Sequence, residues 1–159
     1  MKKLLVIDMQ KGFINENNEF LIKNIENLLK NRLFDKIIAT KFVNCENSQY
    51  EKYLDWKEMQ EGEQTEFALQ FPENTTIIEK CSYGLPVEKL KDFSENDEVY
   101  LCGTDYDACV LAIGYQLFDQ GVCVKFIQNA IGSSSSTNRN KTLDEIVVRN
   151  FGGNALVKI

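Results

Sequence analysis

Histidine is absent from this chain of 159 residues. Because histidine is the usual partner of a cysteine or serine nucleophile, any nucleophile in this protein must be activated by a carboxylate or an amine. The absence also limits a zinc site to cysteine and carboxylate ligands, and no group of these residues stands at ligand spacing in the sequence. We therefore expect a protein with no metal and no other cofactor.

Basic runs and long apolar runs are also missing. The formal net charge is −6, whereas nucleic acids and anionic membranes both call for a basic patch. No apolar run approaches the roughly 20 residues of a membrane span, and the apolar run that begins at Leu4 meets Asp8 too early for a signal peptide. We expect a cytoplasmic protein that binds neither nucleic acid nor membranes.

The five cysteines are odd in number and include no Cys-x-x-Cys pair, which favours reduced thiols over a disulfide framework. Cys81, Cys102 and Cys123 lie in or beside strand-like runs and are predicted to be core residues. Cys45 is predicted to lie in a surface loop. The fifth, Cys109, stands at the start of a helix-like run.

Short apolar runs typical of buried parallel strands alternate with runs that have helical spacing. The predicted strands cover residues 4–9, 36–43, 75–80, 98–103, 122–131 and 155–159, and the predicted helices cover 24–33, 86–92, 107–120 and 137–150. Residues 46–70 are predicted to form short helices and loops. This alternation predicts an α/β protein with a Rossmann-like three-layer α/β/α fold and a mostly parallel six-stranded sheet, in a single domain over residues 1–159.

Three residues with reactive side chains are expected at one edge of that sheet. The fourth predicted strand ends at Gly103, an acidic loop follows it, and the next helix opens near Cys109, where free N–H groups and the helix dipole stabilise a thiolate. Asp8 and Lys80 each close a strand, and ligands of parallel sheets bind beyond the carboxyl ends of the strands. Seen alone, Asp8 is an ordinary turn residue, Lys80 a solvated lysine and Cys109 a core thiol. Their joint placement at one edge of the sheet predicts a site.

Three segments in register resemble the isochorismatase-like cysteine hydrolases, the family that includes nicotinamidases and N-carbamoylsarcosine amidases. They are Asp8-Met-Gln-x-x-Phe13, then Lys80 followed by Ser82-Tyr83-Gly84, and then Gly103-x-x-x-x-x-Cys109-Val110. Their order and their strand contexts match the family along nearly the whole chain. The resemblance implies that Asp8, Lys80 and Cys109 form a catalytic triad.

The resemblance also implies the surroundings of the triad. It places a cis, non-proline peptide at Thr104–Asp105 and an oxyanion hole at the backbone N–H groups of Asp105 and Cys109. Phe13, Tyr83 and Tyr106 are expected to line the substrate pocket. Tyr50, Tyr53 and Trp56 are expected either to close the site, to contact a subunit or to form a core stripe. Relatives commonly assemble as dimers or tetramers, so a homo-oligomer is expected as well.

The expected reaction is the hydrolysis of a small linear amide through a thioester, without a metal. Nicotinamidases hold a metal through one aspartate and two histidines near the end of the second strand, where this chain has Thr40 to Asn44. Tyr106 stands where many members have threonine, and two acids flank it. Two alternatives remain open. One is an isochorismatase-type vinyl-ether hydrolase, although members with that chemistry work without the cysteine. The other is a non-catalytic relative that binds a small molecule or a protein.

Overall fold

Six strands and five helices alternate in the computed structural model, which describes residues 1–136 and 139–159. The strands are β1 Lys2–Ile7, β2 Lys36–Phe42, β3 Thr76–Lys80, β4 Glu98–Gly103, β5 Cys123–Ile131 and β6 Leu156–Val157. The helices are α1 Phe20–Lys30, α2 Gln49–Leu54, α3 Val87–Leu90, α4 Leu111–Asp119 and α5 Arg139–Phe151. Single turns of 3-10 helix cover Lys11–Phe13 and Glu63–Thr65, and a π-helical turn covers Tyr106–Val110.

The strands form one sheet in the order β3-β2-β1-β4-β5-β6, and every neighbouring pair runs parallel. This arrangement confirms the predicted α/β fold with its six-stranded sheet. β1 lies at the centre because its sequence after Lys2 is buried throughout, as is typical of a parallel strand covered on both faces.

Alternate residues of β1 supply the two halves of the core. Leu5 and Ile7 belong to one buried cluster, which also contains Ile113 of α4. Leu4 and Val6 belong to the other cluster, together with Ile25 of α1. Because successive side chains of a strand point to opposite faces, these two clusters lie on the two sides of the sheet and give three layers.

Several predicted bounds differ from the observed ones. α1 begins at Phe20 rather than residue 24 because Leu21 already packs in the core. The helix predicted over 107–120 opens as the π-helical turn, and the first two residues of the helix predicted over 137–150 lie outside the described residues. The core prediction holds for Cys102 but is wrong for Cys81 and Cys123, which are exposed because they stand at strand ends.

Gly103 lets β4 end directly against β1. Its φ is +113°, and a Cβ at this position would come within 2.1 Å of the backbone O of Ile7. Ile7 is its register partner in the sheet. Only glycine fits such a close approach in this backbone conformation, and the loop that carries Cys109 therefore leaves the sheet beside the end of β1.

A buried ion pair closes the opposite end of the sheet. Lys3 Nζ lies 2.7 Å from Asp97 Oδ2, and both side chains are almost fully buried. Burial raises the pKa of Asp97, but hydrogen bonds from Lys3 and Ser94 outweigh that effect and lower it to about 2. This contact joins the start of β1 to the turn before β4.

Among the helices of residues 1–136 and 139–159, none has the length and apolar character needed to cross a membrane.

Candidate active site

Asp8, Lys80 and Cys109 meet at the carboxyl edge of the sheet. Asp8 follows β1, Lys80 ends β3, and Cys109 lies in the π-helical turn after β4. Lys80 Nζ lies 2.7 Å from Asp8 Oδ2 and 3.4 Å from Cys109 Sγ. The side chains of Lys80 and Asp8 are 0% and 1% exposed, so that the ion pair is fully removed from solvent.

Thr40 holds the Asp8 carboxylate in this arrangement. The Thr40 hydroxyl donates to Asp8 Oδ1 at 2.6 Å and accepts from the Asp8 backbone N–H at 3.0 Å. Asp8 itself has a φ of +47°, which turns the chain sharply after β1. The sequence signal for this contact is a threonine inside the apolar strand β2, and no role was predicted for it.

The Lys80 ammonium is anchored by backbone carbonyls as well as by the ion pair. It donates to Ser82 O at 2.8 Å and to Tyr83 O at 3.4 Å. It also lies 5.1 Å from the centre of the Phe42 ring. An ammonium has three donors, and here they are shared among four acceptors: two backbone carbonyls of the loop after β3 and the side chains of Asp8 and Cys109.

The pKa values show how charge is distributed among the three residues. Burial tends to lower the pKa of Lys80, but the negative charges of Asp8 and the Cys109 thiolate outweigh burial and raise it above its ordinary value. Burial raises the pKa of Cys109 well above its ordinary value, the charge of Asp8 raises it further, and Lys80 offsets only part of this. Burial and the charge of Asp8 therefore oppose the predicted stabilisation of a thiolate at this turn and favour the protonated thiol.

The Thr104–Asp105 peptide is cis, at the position that the resemblance implied. Beyond it, Asp105 O accepts hydrogen bonds from the N–H groups of Ala108 and Val110, each at 3.1 Å. The Asp105 N–H itself has no acceptor among the residues that the structure describes. The turn therefore presents a free backbone donor in the loop that carries Cys109.

Asp105 is tied down by its side chain. Its Oδ1 accepts from Ser134 N at 2.7 Å and its Oδ2 accepts from the Ser134 hydroxyl at 2.7 Å. Asn18 Nδ2 donates to Thr104 Oγ1 at 3.1 Å and to Phe13 O at 2.8 Å. These bonds lock the cis peptide between the loop after β1 and the loop after β5. No role was predicted for Asn18 or Ser134.

A cavity of about 210 Å³ opens onto Cys109. Its walls are mostly aromatic, and a few polar groups lie at its base. The lining residues are Asp8, Phe13, Phe42, Tyr50, Leu54, Trp56, Tyr83, Thr104, Asp105, Ala108 and Cys109. Phe13 and Tyr83, which were predicted to line a pocket, line this cavity together with Tyr50 and Trp56, whereas Tyr53 is exposed.

Tyr106 does not line this cavity, and that part of the pocket prediction is wrong. Its side chain is buried in the core, and its hydroxyl donates to Asp144 Oδ1 at 2.9 Å. The physical reason is the π-helical turn, which directs Tyr106 towards α5 while Cys109 faces the cavity. The large side chain therefore leaves the cavity unobstructed.

The Tyr50 hydroxyl is a buried polar group beside the thiol. It makes no hydrogen bond of normal geometry within the described residues, although the Tyr83 backbone N–H lies near it. Burial, followed by the negative charge of the Cys109 thiolate, raises the pKa of Tyr50. Since an unsatisfied buried hydroxyl costs about 1–3 kcal/mol, this group is well placed to gain from a polar atom in the cavity.

The residues at the end of β2 do not fit a metal ion. Asn44 donates its amide N–H groups to Trp56 O and Glu58 O, each at 3.1 Å, and its Oδ1 accepts from Ser48. Gln10 likewise bonds backbone groups of Phe42. Within the described part of the chain, no three His, Cys, Asp or Glu side chains gather as a ligand set. The polar groups here hold loops together.

Comparisons with known proteins identify a family and a fold. A family model described as an isochorismatase domain matches residues 2–154. Isochorismatase domain-containing protein 2 of Danio rerio is 31% identical over 64 residues, which cover 38% of this chain and span only 32% of that relative's length.

Two solved structures share the fold. Pyrazinamidase of Pyrococcus horikoshii in complex with zinc superposes with a TM-score of 0.80 at 21% identity, and the match covers 99% of both chains. N-carbamoylsarcosine amidase from Thermoplasma acidophilum superposes with a TM-score of 0.78 at 16% identity, over 99% of this chain and 95% of that one.

Proposed function

Because the chain belongs to the isochorismatase family of hydrolases, we propose that it is a cysteine amidohydrolase that cleaves a small linear amide without a metal. The observation that carries this proposal is the contact of Lys80 with both Asp8 and Cys109 at the base of an aromatic cavity. Two relatives of the same fold are named as amidases, which supports the choice of a carbon–nitrogen bond.

The first step is proton transfer coupled to attack. In the proposed mechanism the thiol keeps its proton until the substrate carbonyl arrives, which the raised pKa of Cys109 supports. As Sγ bonds to the carbonyl carbon, the proton passes to the Asp8 carboxylate, which acts as a general base. Lys80 remains charged throughout and offsets the negative charge that moves between Asp8 and the sulfur.

The developing oxyanion needs donors that are in place beforehand. The free N–H of Asp105 and the N–H of Cys109 are the proposed pair, in a turn held rigid by the Ser134 and Asn18 hydrogen bonds. Removing one such donor in other enzymes costs about 3–4 kcal/mol of transition-state stabilisation. The bonds that lock the cis peptide serve this purpose because they fix where the Asp105 N–H points.

Collapse of the tetrahedral intermediate completes the reaction. Asp8 returns its proton to the leaving nitrogen, the carbon–nitrogen bond breaks, and ammonia or an amine departs. The acyl group stays on Cys109 as a thioester. A water molecule, deprotonated by Asp8, then hydrolyses the thioester to a carboxylic acid and restores the thiol.

The cavity limits the substrate to a small, largely apolar amide. Its 210 Å³ correspond to about seven water-sized volumes of about 30 Å³ each. The Phe13 and Trp56 rings stack with centroids 6.2 Å apart, and flat groups pack well against such a wall. Tyr50 supplies the polar contact inside this apolar space.

The test is ammonia release from a fixed panel of small amides, with one vinyl ether included. The wild-type protein, treated with a chelator, is expected to release ammonia from at least one amide. Cys109→Ala and Asp8→Asn, matched in fold by circular dichroism, are expected to release none. Activity that needs added metal, or turnover of the vinyl ether alone, would contradict the proposal. Silence on the whole panel with tight binding of a small molecule would favour the non-catalytic alternative.

A further inference from the structure

Two exposed cysteines stand at the ends of neighbouring strands, beside the cavity. Cys45 lies three residues beyond the end of β2, and Cys81 directly follows β3. These strands are parallel neighbours whose register ends at the pair Phe42 and Lys80. The Val43 N–H donates to Lys80 O at 2.9 Å, so that the two chains stay together beyond the strands.

The Cys45 thiol returns to the strand ends where Cys81 stands. Cys45 Sγ lies 3.9 Å from Val43 O, and the Val43 N–H is bonded to Lys80 O, directly before Cys81. The Cys81 thiol is the largest cause of the raised pKa of Cys45. Both thiols are free and exposed, and an oxidant in solution therefore has access to them.

We propose that Cys45 and Cys81 are a redox modification site, a dithiol that closes reversibly to a disulfide at the rim of the cavity. Neither cysteine takes part in the proposed reaction. The pairing gives a role to two of the four cysteines that the hydrolytic chemistry leaves unused.

The oxidation requires a peroxide or a small disulfide as co-reactant. With hydrogen peroxide, one thiolate attacks an oxygen, the O–O bond breaks, and a sulfenic acid and water form. The second thiol attacks the sulfenic sulfur and expels a second water as the S–S bond forms. The two thiols lose two protons and two electrons, and the peroxide gains them.

The disulfide would join the two segments that build the cavity wall. Cys45 O accepts from Ser48 N at 3.1 Å, and Ser48 is the N-cap of α2, the helix that carries Tyr50. Cys81 lies between Lys80 and Ser82, and Ser82 O accepts from the Lys80 ammonium. A bond between the sulfurs therefore acts on the wall and on Lys80 together. This effect on catalysis rests on the proposed function, whereas disulfide formation does not.

The test measures the disulfide without any substrate. The reduced protein is treated with hydrogen peroxide, and its free thiols are labelled with a maleimide and counted by mass spectrometry. We expect the monomer to lose two hydrogen atoms, two of its five thiols to become unreactive, and a peptide map to join Cys45 to Cys81. Dithiothreitol should restore all five. Cys45→Ser and Cys81→Ser should abolish this product, and Cys123→Ser, which removes another exposed thiol, should leave it intact.

One result would overturn the proposal. Cys45 and Cys81 would keep free thiols or oxidise separately to sulfenic and sulfinic acids, and no peptide would join them. If the peptide forms but emission from Trp56, the chain's single tryptophan, does not change, the redox site stands and its effect on the cavity wall is refuted. If the disulfide and the emission change both appear in a protein that hydrolyses no amide, the proposed function fails while the redox site stands.

Discussion

Removing the charge of Lys80 alone is expected to destabilise the fold more than removing it together with the charge of Asp8. Lys80→Met keeps the length of the side chain but leaves the Asp8 carboxylate buried without its cation. Asp8→Asn leaves the reverse, a buried ammonium whose remaining partners are backbone carbonyls and the Cys109 thiol. The double variant removes both charges and fills nearly the same volume.

The geometry sets the size of the effect. At 2.7 Å and an effective dielectric constant of about 20, the attraction between the two charges is about 6 kcal/mol. Desolvation of both charges cancels much of that gain, so that the intact pair contributes little net stability. Breaking a buried pair by removing one partner typically costs about 3–5 kcal/mol, whereas replacing both partners with neutral groups of similar volume is often neutral. We therefore expect a coupling free energy of at least about 2 kcal/mol between the two substitutions.

The assay is urea denaturation of the wild type, both single variants and the double variant. Lys23→Met, on an exposed face of α1, serves as the matched control and should change the free energy of unfolding by less than about 0.5 kcal/mol. If the double variant loses the sum of the two single losses, the two charges do not depend on each other and the reasoning is refuted.

Three further predictions concern single groups. Tyr50→Phe is expected to leave the melting temperature unchanged or slightly higher, because the hydroxyl has no good hydrogen-bond partner in the described structure. The same substitution is expected to lower kcat/KM for the best amide about tenfold. An unchanged kcat/KM would show that the Tyr50 hydroxyl does not bind the substrate. Cys109 is 7% exposed and has a raised pKa. It is expected to react with iodoacetamide at neutral pH more slowly than the exposed Cys123, and its reaction should become faster only at alkaline pH. Peptide-resolved alkylation that finds the opposite order would contradict a resting thiol. The folded pKa of Asp97, about 2, lies below its ordinary value of 3.8. Its pairing with Lys3 therefore stabilises the protein above about pH 4, and this stabilisation is lost as the pH falls through 2. In urea unfolding, the difference in the free energy of unfolding between wild type and Asp97→Asn should shrink by about 2 kcal/mol over that range, and a constant difference would contradict the ion pair.

The sheet and the meeting of three side chains could be predicted from the sequence because both follow from simple rules. Apolar runs that alternate with helical spacing produce a parallel sheet, and the ends of its strands share one edge. Asp8 and Lys80 stand at strand ends and Cys109 stands just beyond one, which was enough to bring them together.

Properties that depend on tertiary packing could not be predicted in this way. The pKa of Cys109 depends on burial and on the distance to Asp8, neither of which the spacing of residues reveals. Tyr106 points into the core because its turn is π-helical, and an α-helical start would have been indistinguishable in the sequence. Thr40 acquires its role only because β2 lies beside β1.

The proximity of Cys45 to Cys81 escaped prediction for a related reason. The two residues are far apart in the chain, and only the pairing of β2 with β3 brings their loops together. A count of cysteines indicated reduced thiols, and it contained no information about which two lie side by side.

The most direct test of the central claim is to trap the acyl group on the protein. Wild-type protein is mixed with an amide that it hydrolyses, quenched in acid within the first turnover and examined by peptide-resolved mass spectrometry. A thioester intermediate predicts an adduct with the mass of the amide less ammonia, attached to the Cys109 peptide and absent from Cys109→Ala. Ammonia release that continues in Cys109→Ala, or an acyl group found on another residue, would contradict the role of Cys109 as the nucleophile.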